Sequence, residues 1–380
     1  MQDLPDTAQG SDPAGSPDEV ARVRELERFA IARLPTMQLA DGLFCHEVAV
    51  ENGCRPAGRS LRYTLIVLIG LLRAEDAGVD HRFHLGALRS RVLSELDSDG
   101  LTPGDFGLAL WAEARMDGSA ADELVAGLAR RLSGPSGLEA LISTEVAWIA
   151  LGLSESEAWG ETGEGERILS GAREQLVVKR RTESGLLLHS SRGPRRRFPN
   201  FATQIYGILA LSYLARARGD DEALQVAREA GDRLLALQMP DGAWPWIFDA
   251  QRGTIVEPYE IYSVHQDSMA PMGLGALTHV TGDLRYRSAA VYGLGWIFGR
   301  NDLGAEMLDR ETGMLYRSIR RRERLDRAYL YGRTAASYLK PPRVKDARRM
   351  LEVNRTDRPY HLGWVLEAWA GREHLAALET

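Results

Sequence analysis

The stretch "FATQIYGILALSYLARARGDDEALQVAREAGDRLLALQ", Phe201 to Gln238, contains two helical patterns of different kinds. Its first half is apolar and rich in small residues, which is typical of a helix that is buried on most sides. In its second half, from Asp221, apolar residues return at three- and four-residue intervals, the pattern of a helix with one buried face. The stretch therefore predicts a helical hairpin with one inner and one outer helix.

The same alternation recurs along the chain. Apolar, small-residue-rich segments start at Leu61, Gly104, Ser143, Phe201, Ser263 and Pro359, and more charged amphipathic segments lie between them. Strand-like alternation is nearly absent, so the predicted fold class is all-α. Six such pairs favour two concentric rings, an (α/α)6 toroid of helical hairpins. An open α-solenoid is the alternative, but it gives no reason for one helix of each pair to be so apolar.

Composition limits the class of protein. A formal net charge of −6 over 380 residues argues against a nucleic-acid binder, because phosphate binding depends on clustered Lys and Arg. Two cysteines, Cys45 and Cys54, are too few for a disulfide framework, so we expect a cytoplasmic protein. We expect residues 1–18 to be a disordered acidic tail and residues 19–380 to form one toroid domain. The apolar run Tyr63 to Leu72 is about half the length of a membrane span and predicts a buried helix.

The segment after the second helix carries a resemblance. "LQMPDGAWPW", Leu237 to Trp246, resembles the QW repeat of the terpenoid-cyclase and prenyltransferase superfamily, in which a Gln, an Asp-Gly turn and a Trp tie consecutive hairpins together. "STEVAWIALGL", from Ser143, is similar to the inner helices of those repeats. We find one good match to the repeat. The resemblance implies a hairpin toroid, a fold shared by squalene-type cyclases, prenyltransferase β-subunits, unsaturated-glucuronyl hydrolases, sugar 2-epimerases and several polysaccharide lyases, and the fold alone does not choose among them.

The sequence lacks the motifs that two activities of that superfamily require. A class II terpene cyclase protonates its substrate with a D-x-D-D motif, and no such motif occurs; "LDSDG" at Leu96 to Gly100 and "RGDDEA" at Arg218 to Ala223 fall between predicted helices. A prenyltransferase β-subunit needs Asp, Cys and His for zinc. The pair Cys45-His46 and Cys54 has no matching Asp pattern, so we predict buried or partly buried thiols, with no metal and no other cofactor.

Polar residues at the starts of the inner segments are candidates for a binding site, because in such a toroid these starts line a concave mouth. They include Arg62, Tyr63, Asp105, Glu145, Asn200, Gln204, Tyr206, His265, Asp267, Tyr360 and His361. His361 starts the last inner segment and returns to the mouth only if the ring closes.

The densest group is "EPYEIYSVHQDSMAPM", Glu257 to Met272, directly after the Trp-rich turn. Carboxylates and imidazoles in a partly desolvated cleft can have pKa values near neutrality, as general acid–base catalysis requires. The alternative is structural: Asp267 ties down its helix, His265 is a hydrogen-bonded core residue, and Glu257 and Glu260 are solvated. We predict His265 and Asp267 as proton-transfer groups supported by Glu145, Tyr206 and His361. The predicted substrate-binding residues are Trp244, Trp246, Arg62, Tyr63, Gln204, Arg196, Arg197, Glu260, Tyr262 and Tyr360.

Two arginine runs remain, "SSRGPRRRFPN" from Ser190 and "RSIRRRERLDR" from Arg317. Each is either a solvated charged surface or a site for an anion, since Arg presents paired donors to carboxylate or phosphate. The first run leads directly into an inner segment, which favours anion binding by Arg196 and Arg197. The second lies in the longest insertion, at about residues 300–340, which we interpret as a lid or rim loop.

Three functions follow from these patterns. The first is a carbohydrate-active enzyme that acts on an acidic sugar or a sugar-containing intermediate by general acid–base chemistry. Two facing carboxylates would favour a hydrolase, and Tyr with His would favour a lyase or an epimerase. The second is an isoprenoid-handling protein with an aromatic pocket. The third is a non-catalytic toroidal binding module, in which the cluster from Glu257 to Asp267 points outward or forms internal ion pairs. The partner is therefore a small molecule or an oligosaccharide, with an anionic substrate as one alternative, and the oligomeric state stays open.

Overall fold

A computed structural model of the chain describes residues 17–96, 101–134, 137–156, 163–322, 326–337 and 350–376. Its helices are α1 (Pro17–Arg33), α2 (Leu61–Asp76), α3 (Leu85–Leu93), α4 (Pro103–Glu113), α5 (Ala121–Leu132), α6 (Ser143–Ser156), α7 (Gly163–Glu174), α8 (Phe201–Arg218), α9 (Asp221–Leu237), α10 (Ala270–Thr281), α11 (Leu284–Leu294), α12 (Asp326–Ser337) and α13 (Pro359–Trp369).

The helices form two rings. Among the described residues, α2, α4, α6, α8, α10 and α13 make an inner ring in which each helix packs on the next, and α13 packs on α2 to close it. Helices α1, α3, α5, α7, α9 and α11 lie outside them. These are the inner and outer segments that the sequence pattern predicts. The (α/α)6 toroid is confirmed, and the open solenoid is wrong because the first and last inner helices are in contact.

Glycines allow the inner helices to approach closely. A Cβ at Gly70 of α2 would lie 2.1 Å from the carbonyl oxygen of Gly363 in α13. A Cβ at Gly152 of α6 would lie 2.0 Å from the carbonyl oxygen of Gly107 in α4. Both contacts are backbone against backbone, so a larger residue would force the helices apart.

The Asp-Gly turn after α9 occurs a second time, after α1. The side-chain amide of Gln238 donates to the carbonyl oxygens of Gly242 and Ala289, both at 2.9 Å, which ties the end of α9 to α11. In "QLADG", Gln38 donates to the carbonyl of Gly42 at 2.9 Å, and both glycines have a φ of 87°. The chain thus contains a second turn with the same hydrogen-bond pattern beside the one good match to the repeat. The second turn has Phe44 where the first has Trp244, so the absence of a tryptophan conceals the similarity in the sequence.

Short strands join the outer helices to the inner ones at one end of the ring, which we call the mouth. They are β1 (Glu47–Ala49), β2 (Pro56–Ala57), β3 (Ile247–Asp249), β4 (Thr254–Glu257), β5 (Ile261–Tyr262), β6 (Leu308–Asp309), β7 (Met314–Leu315), β8 (Ser318–Arg321), β9 (Leu351–Asn354) and β10 (Thr356–Asp357). They pair in the orders β10-β1-β2, β3-β4, β5-β8-β9 and β6-β7, all antiparallel. Strands this short show no alternation in the sequence.

Only some of the predicted segment boundaries fall within the residues that the structure describes. Helix α1 begins at Pro17, inside the tail predicted for residues 1–18, while residues 1–16 lie outside the described residues. Residues 97–100 of the "LDSDG" segment, and residues 323–325 and 338–340 of the predicted insertion, also lie outside them. The apolar run of α2 is buried along most of its length, as predicted. None of the helices in the described part of the chain has the length and apolarity that a membrane crossing requires.

Candidate functional site

A polar cleft of about 800 Å³ opens at the mouth of the ring. Strands β1, β8, β9 and β10 and the residue before α13 supply its walls. It is lined by Glu47, Ala49, Glu51, Arg317, Arg320, Arg322, Glu352, Asn354, Thr356 and Arg358. Four guanidinium groups thus meet three carboxylates, and two of the arginines are paired: Arg320 with Glu352 at 3.1 Å and Arg358 with Glu47 at 3.2 Å.

Tyrosines lie beside this cleft, in contact with two of the arginines that line it. The rings of Tyr63 and Tyr360 lie 4.6 Å apart, and Arg358 donates to the Tyr63 hydroxyl at 2.6 Å. The guanidinium of Arg317 lies 5.2 Å from the ring centre of Tyr262, and its Nε is buried without a hydrogen bond to any described residue. Burial raises the pKa of Tyr360 to about 12, so its hydroxyl stays protonated at neutral pH.

Glu260 is the carboxylate that these tyrosines and the strands hold in place. It accepts hydrogen bonds from the Tyr262 hydroxyl at 2.9 Å, from the Asn354 amide at 3.1 Å, and from the Ser318 hydroxyl. The side chain is partly exposed. The predicted stacking residue Trp246 stands edge-on to Tyr262 with ring centres 6.2 Å apart, so it borders the same region.

The start of α13 meets the start of α10 through a buried pair. Nε2 of His361 lies 2.8 and 2.9 Å from the two carboxylate oxygens of Asp267. Asp267 is fully buried and also accepts from the Ser268 hydroxyl at 2.6 Å, while Trp369 donates to its main-chain carbonyl at 2.5 Å. Its carboxylate therefore holds the ring of His361, and a direct part for Asp267 in proton transfer stays a prediction.

His265 lies beside this pair in a π-helical turn, His265–Met269, that leads into α10. Its ring packs between Phe201 at 4.7 Å and Tyr262 at 5.0 Å. Burial, with smaller contributions from His361 and Arg317, lowers the pKa of His265 to about 3. The imidazole is therefore neutral at neutral pH, and its Nδ1 has no hydrogen-bond partner among the described residues.

A second group of predicted residues lies at the starts of α2, α4 and α6. Arg62 forms a bidentate pair with buried Asp105, at 2.6 and 2.8 Å, and lies 5.4 Å from the ring centre of Trp148. Glu145 is nearly buried and accepts from the Ile142 amide at 3.3 Å. Arg62 keeps a partly exposed face, so its role in substrate binding stays a prediction.

Tyr206 lies deep in the ring, edge-on to Trp148 at 5.4 Å and 6.0 Å from Trp364. Burial, and then the nearby Tyr360, raises the pKa of Tyr206 well above its usual range. Its hydroxyl can therefore serve as a proton donor in a hydrogen bond but not as a base at neutral pH, which narrows the catalytic role predicted for it.

Three of the predicted substrate-binding residues, Trp244, Gln204 and Arg197, do not line the mouth cleft. Trp244 is fully buried against Phe201, 5.5 Å away, so its ring is not available to a sugar. Gln204 is also fully buried. Its side-chain oxygen accepts from the main-chain N–H of Leu187, and its side-chain nitrogen donates to the Leu187 carbonyl, both at 2.8 Å. Arg197 forms a bidentate ion pair with buried Asp249, one bond of which is 2.7 Å long.

Two predicted charged residues, Arg196 and Glu257, differ in their exposure to solvent. Arg196 is exposed and does not line the mouth cleft. Glu257 is buried and pairs with Arg321 at 3.0 Å and with Arg333 at 3.1 Å. Internal ion pairs are what a non-catalytic module predicts for this cluster, but Glu260 and Tyr262 of the same cluster are partly exposed and form no ion pair with a described residue.

The sequence analysis missed most of the cleft's charged residues. Arg317 was noted only as the start of an arginine run, and Arg358 was not a candidate. Glu47 and Asn354 lie on strands that carry no sequence signal. Of the predicted thiols, Cys45 is buried and Cys54 is half-buried, as expected. No group of three His, Cys, Asp or Glu residues in the described ranges is arranged to hold a metal ion.

Comparison with known proteins gives the fold class. No protein-family model matches the sequence, and none of the curated proteins is significantly similar to it. Among solved structures, the chain is similar to an unsaturated glucuronyl hydrolase specific for heparin, with a TM-score of 0.62 and 13% identity over 93% of this chain and 97% of that one. It is also similar to the cellobiose 2-epimerase of Bacillus thermoamylovorans B4167, with a TM-score of 0.60 and 11% identity over 93% and 99%. The unsaturated glucuronyl hydrolase of Bacillus sp. GL1 gives 0.59 and 16% over 92% and 95%.

These neighbours are six-hairpin toroids, and the alignments span nearly the whole of both chains. The similarity confirms the predicted (α/α)6 toroid fold. The terpenoid-cyclase and QW-repeat part of the resemblance finds no counterpart among them.

Proposed function

We propose that this protein is a carbohydrate-active enzyme that binds an acidic sugar in the mouth cleft and transfers a proton on it with His265 and His361. The observation that carries the proposal is the convergence of two histidines, from the starts of adjacent inner helices, beside a cleft of arginines and tyrosines. The names of the structural neighbours, glucuronyl hydrolases and a cellobiose epimerase, point to sugars as the substrate class.

Substrate binding rests on Arg317 and Arg358. Guanidinium groups present paired donors that match a carboxylate, and the buried Nε of Arg317 lacks a described partner. The tyrosines at this site have apolar faces for a sugar ring and hydroxyls for its oxygen atoms. This arrangement favours a uronate or another sugar with an anionic group over a neutral sugar.

Proton transfer rests on the states of the two imidazoles. His265 is neutral at neutral pH, so it can accept a proton from a substrate carbon or hydroxyl. Asp267 accepts the Nε2 proton of His361, which leaves Nδ1 of that ring as the basic nitrogen. A carboxylate pair is less well supported, because Asp105 is bound to Arg62 and Asp267 to His361. We therefore favour an epimerase or a lyase over a hydrolase, with Glu260 or Glu145 as the acids that hydrolysis would require.

We also propose a cytoplasmic location, which two free thiols support.

The test is incubation of the purified protein in D2O with uronate-containing oligosaccharides, unsaturated uronides and cellobiose, followed by NMR. Epimerisation or elimination should incorporate deuterium or form a double bond at the carbon next to the carbonyl or carboxylate. Hydrolysis would instead release a new reducing end. We expect turnover of the acidic sugars and little turnover of cellobiose.

Variants assign the residues. His265→Gln and His361→Gln should each lower kcat by roughly 10²- to 10⁴-fold, the usual contribution of a general acid or base. Arg317→Ala should mainly raise KM. His84→Gln, an exposed histidine at the start of α3, is the matched control and should leave turnover unchanged. Undiminished turnover in both His265→Gln and His361→Gln would refute the proton-transfer assignment.

A further inference from the structure

A second cavity, of about 430 Å³, lies at the end of the ring opposite the mouth. It is enclosed by the C-terminal halves of α8, α10 and α13 and by one face of α11. Its walls are mainly apolar and include Leu209, Met272, Ala276, Val291 and Trp369. Drug-sized ligands occupy cavities of about 300–1,000 Å³, so this one has room for a small organic molecule.

Three arginines, Arg216, Arg287 and Arg372, border this cavity. Arg216 is paired with Glu155 at 2.5 Å. The buried Nε of Arg287 has no hydrogen-bond partner, and Arg372 forms no ion pair, among the residues that the structure describes. Burial, and then the like charge of Arg372, lowers the pKa of neighbouring Arg73. Two of the three guanidinium groups that border the cavity, those of Arg287 and Arg372, therefore have no ion pair with a described residue, whereas Arg216 has one.

The dipole of α11 does not stabilise the positive charge of Arg287. This residue lies in the first turn of α11, where the dipole disfavours a cation. The carboxylate of Glu367, which also lines the cavity, is already bound by Arg115, with one contact of 2.8 Å. A buried donor without a partner is unfavourable unless a ligand or water supplies an acceptor.

We propose that this cavity is a second ligand site, separate from the mouth cleft, for a small molecule with an apolar body and one anionic head group. The apolar body lies between α8, α10 and α13, and the head group accepts hydrogen bonds from Arg287 with Arg372 nearby. The proposal does not depend on the function of the mouth cleft, since it concerns binding and no chemical step.

The test is calorimetric titration of the full chain with decanoate, and with decanol as a neutral molecule of the same length. Trp369 forms part of the wall, so its fluorescence gives a second readout. Decanoate should bind at one site. Decanol should bind roughly tenfold or more weakly, because it lacks a charge-assisted bond to arginine.

Two variants with matched controls locate the site. Gly275 lines the cavity, and a Cβ there would meet nothing within 4 Å, so Gly275→Leu should fill the cavity and abolish binding of both probes. Gly86→Leu, at an equally open glycine in α3, should bind decanoate normally. Arg287→Ala should weaken decanoate roughly tenfold and leave decanol unchanged, while Arg24→Ala, an exposed arginine of α1, should change neither.

The outcomes are decisive in both directions. Decanoate binding that Gly275→Leu removes and Arg287→Ala selectively weakens supports the site. Absence of binding to the unmodified protein, or binding that survives Gly275→Leu, overturns it. Equal affinities for decanoate and decanol overturn the anionic head group.

Discussion

His265 is neutral because its surroundings exclude water, and this has a consequence for stability. Its pKa is about 3 in the folded protein, against about 6.5 in an unfolded chain. Below pH 6.5 the unfolded chain therefore binds a proton that the folded protein does not bind. The contribution of this residue is fully present above pH 6.5 and is lost as the pH falls toward 3. We predict that the free energy of unfolding falls by up to ~1.4 kcal/mol per pH unit from this residue across that range.

Urea unfolding at several pH values measures this effect. His189 adds to it, because burial, with Arg195 and Arg180, lowers its pKa to about 4. The slope should become shallower in His265→Gln and keep its wild-type value in His84→Gln, whose histidine is exposed. An unchanged slope in His265→Gln would mean that His265 is protonated or solvated in the folded protein.

Single residues also show how much of the site the sequence can predict. Polar residues at the starts of inner helices were reasonable candidates, but several of them serve the helix itself. Asp105 forms a capping box with Thr102, and Asn200 accepts from the Thr203 amide at 3.0 Å to cap α8. A helix cap and a catalytic group use the same residue types at the same place, so the sequence alone does not separate them. The pairing of His361 with Asp267 needs the three-dimensional ring.

Pairs of inner helices depend on glycine where their backbones touch. We predict that Gly152→Ala destabilises the protein by about 1–3 kcal/mol or more, because the new Cβ would lie 2.0 Å from the Gly107 carbonyl oxygen. Alanine is the better helix former, so propensity alone predicts the opposite sign. The control is Gly86→Ala in α3, where a Cβ meets nothing within 4 Å and stability should be unchanged or slightly higher. Thermal or urea unfolding of both variants measures the two changes in stability. Equal changes would show that α4 and α6 are not in close contact.

At the level of elements, the sequence predicts helices well and their connections poorly. The 3.6-residue periodicity of the outer segments and the apolar inner ones identify both rings, because burial repeats in every hairpin. The connections at the mouth rely on strands of two to four residues, which are stabilised by partners distant in sequence, such as β1 with β10. Arg317, Asn354 and Arg358 lie on or beside such strands, which is why the cleft they form was not predicted.

Closure of the ring is a property of the whole molecule, and two sets of contacts maintain it at opposite ends. His361 of α13 meets Asp267 near the mouth. Toward the other end, Arg115, just after α4, reaches across α2 to Glu367 of α13, with 2.8 Å between Nη2 and Oε1. The sequence predicts closure from the number and apolarity of the inner helices. It does not predict which charges meet across the ring, since these residues are 252 positions apart.

The Arg115–Glu367 pair provides a test of closure as a source of stability. Both side chains are nearly buried, 10% and 3% exposed, so Glu367→Ala leaves a guanidinium without its counter-charge in the interior. We predict a loss of about 3–5 kcal/mol in the free energy of unfolding. The exposed pair of Arg167 with Glu164 is the control, and Glu164→Ala should cost about 1 kcal/mol or less. The double variant Arg115→Met with Glu367→Leu should recover most of the loss, because it removes both buried charges together. If Glu367→Ala behaves like Glu164→Ala in urea unfolding, the pair does not hold α13 to the rest of the ring, and closure depends on the glycine contacts between α2 and α13.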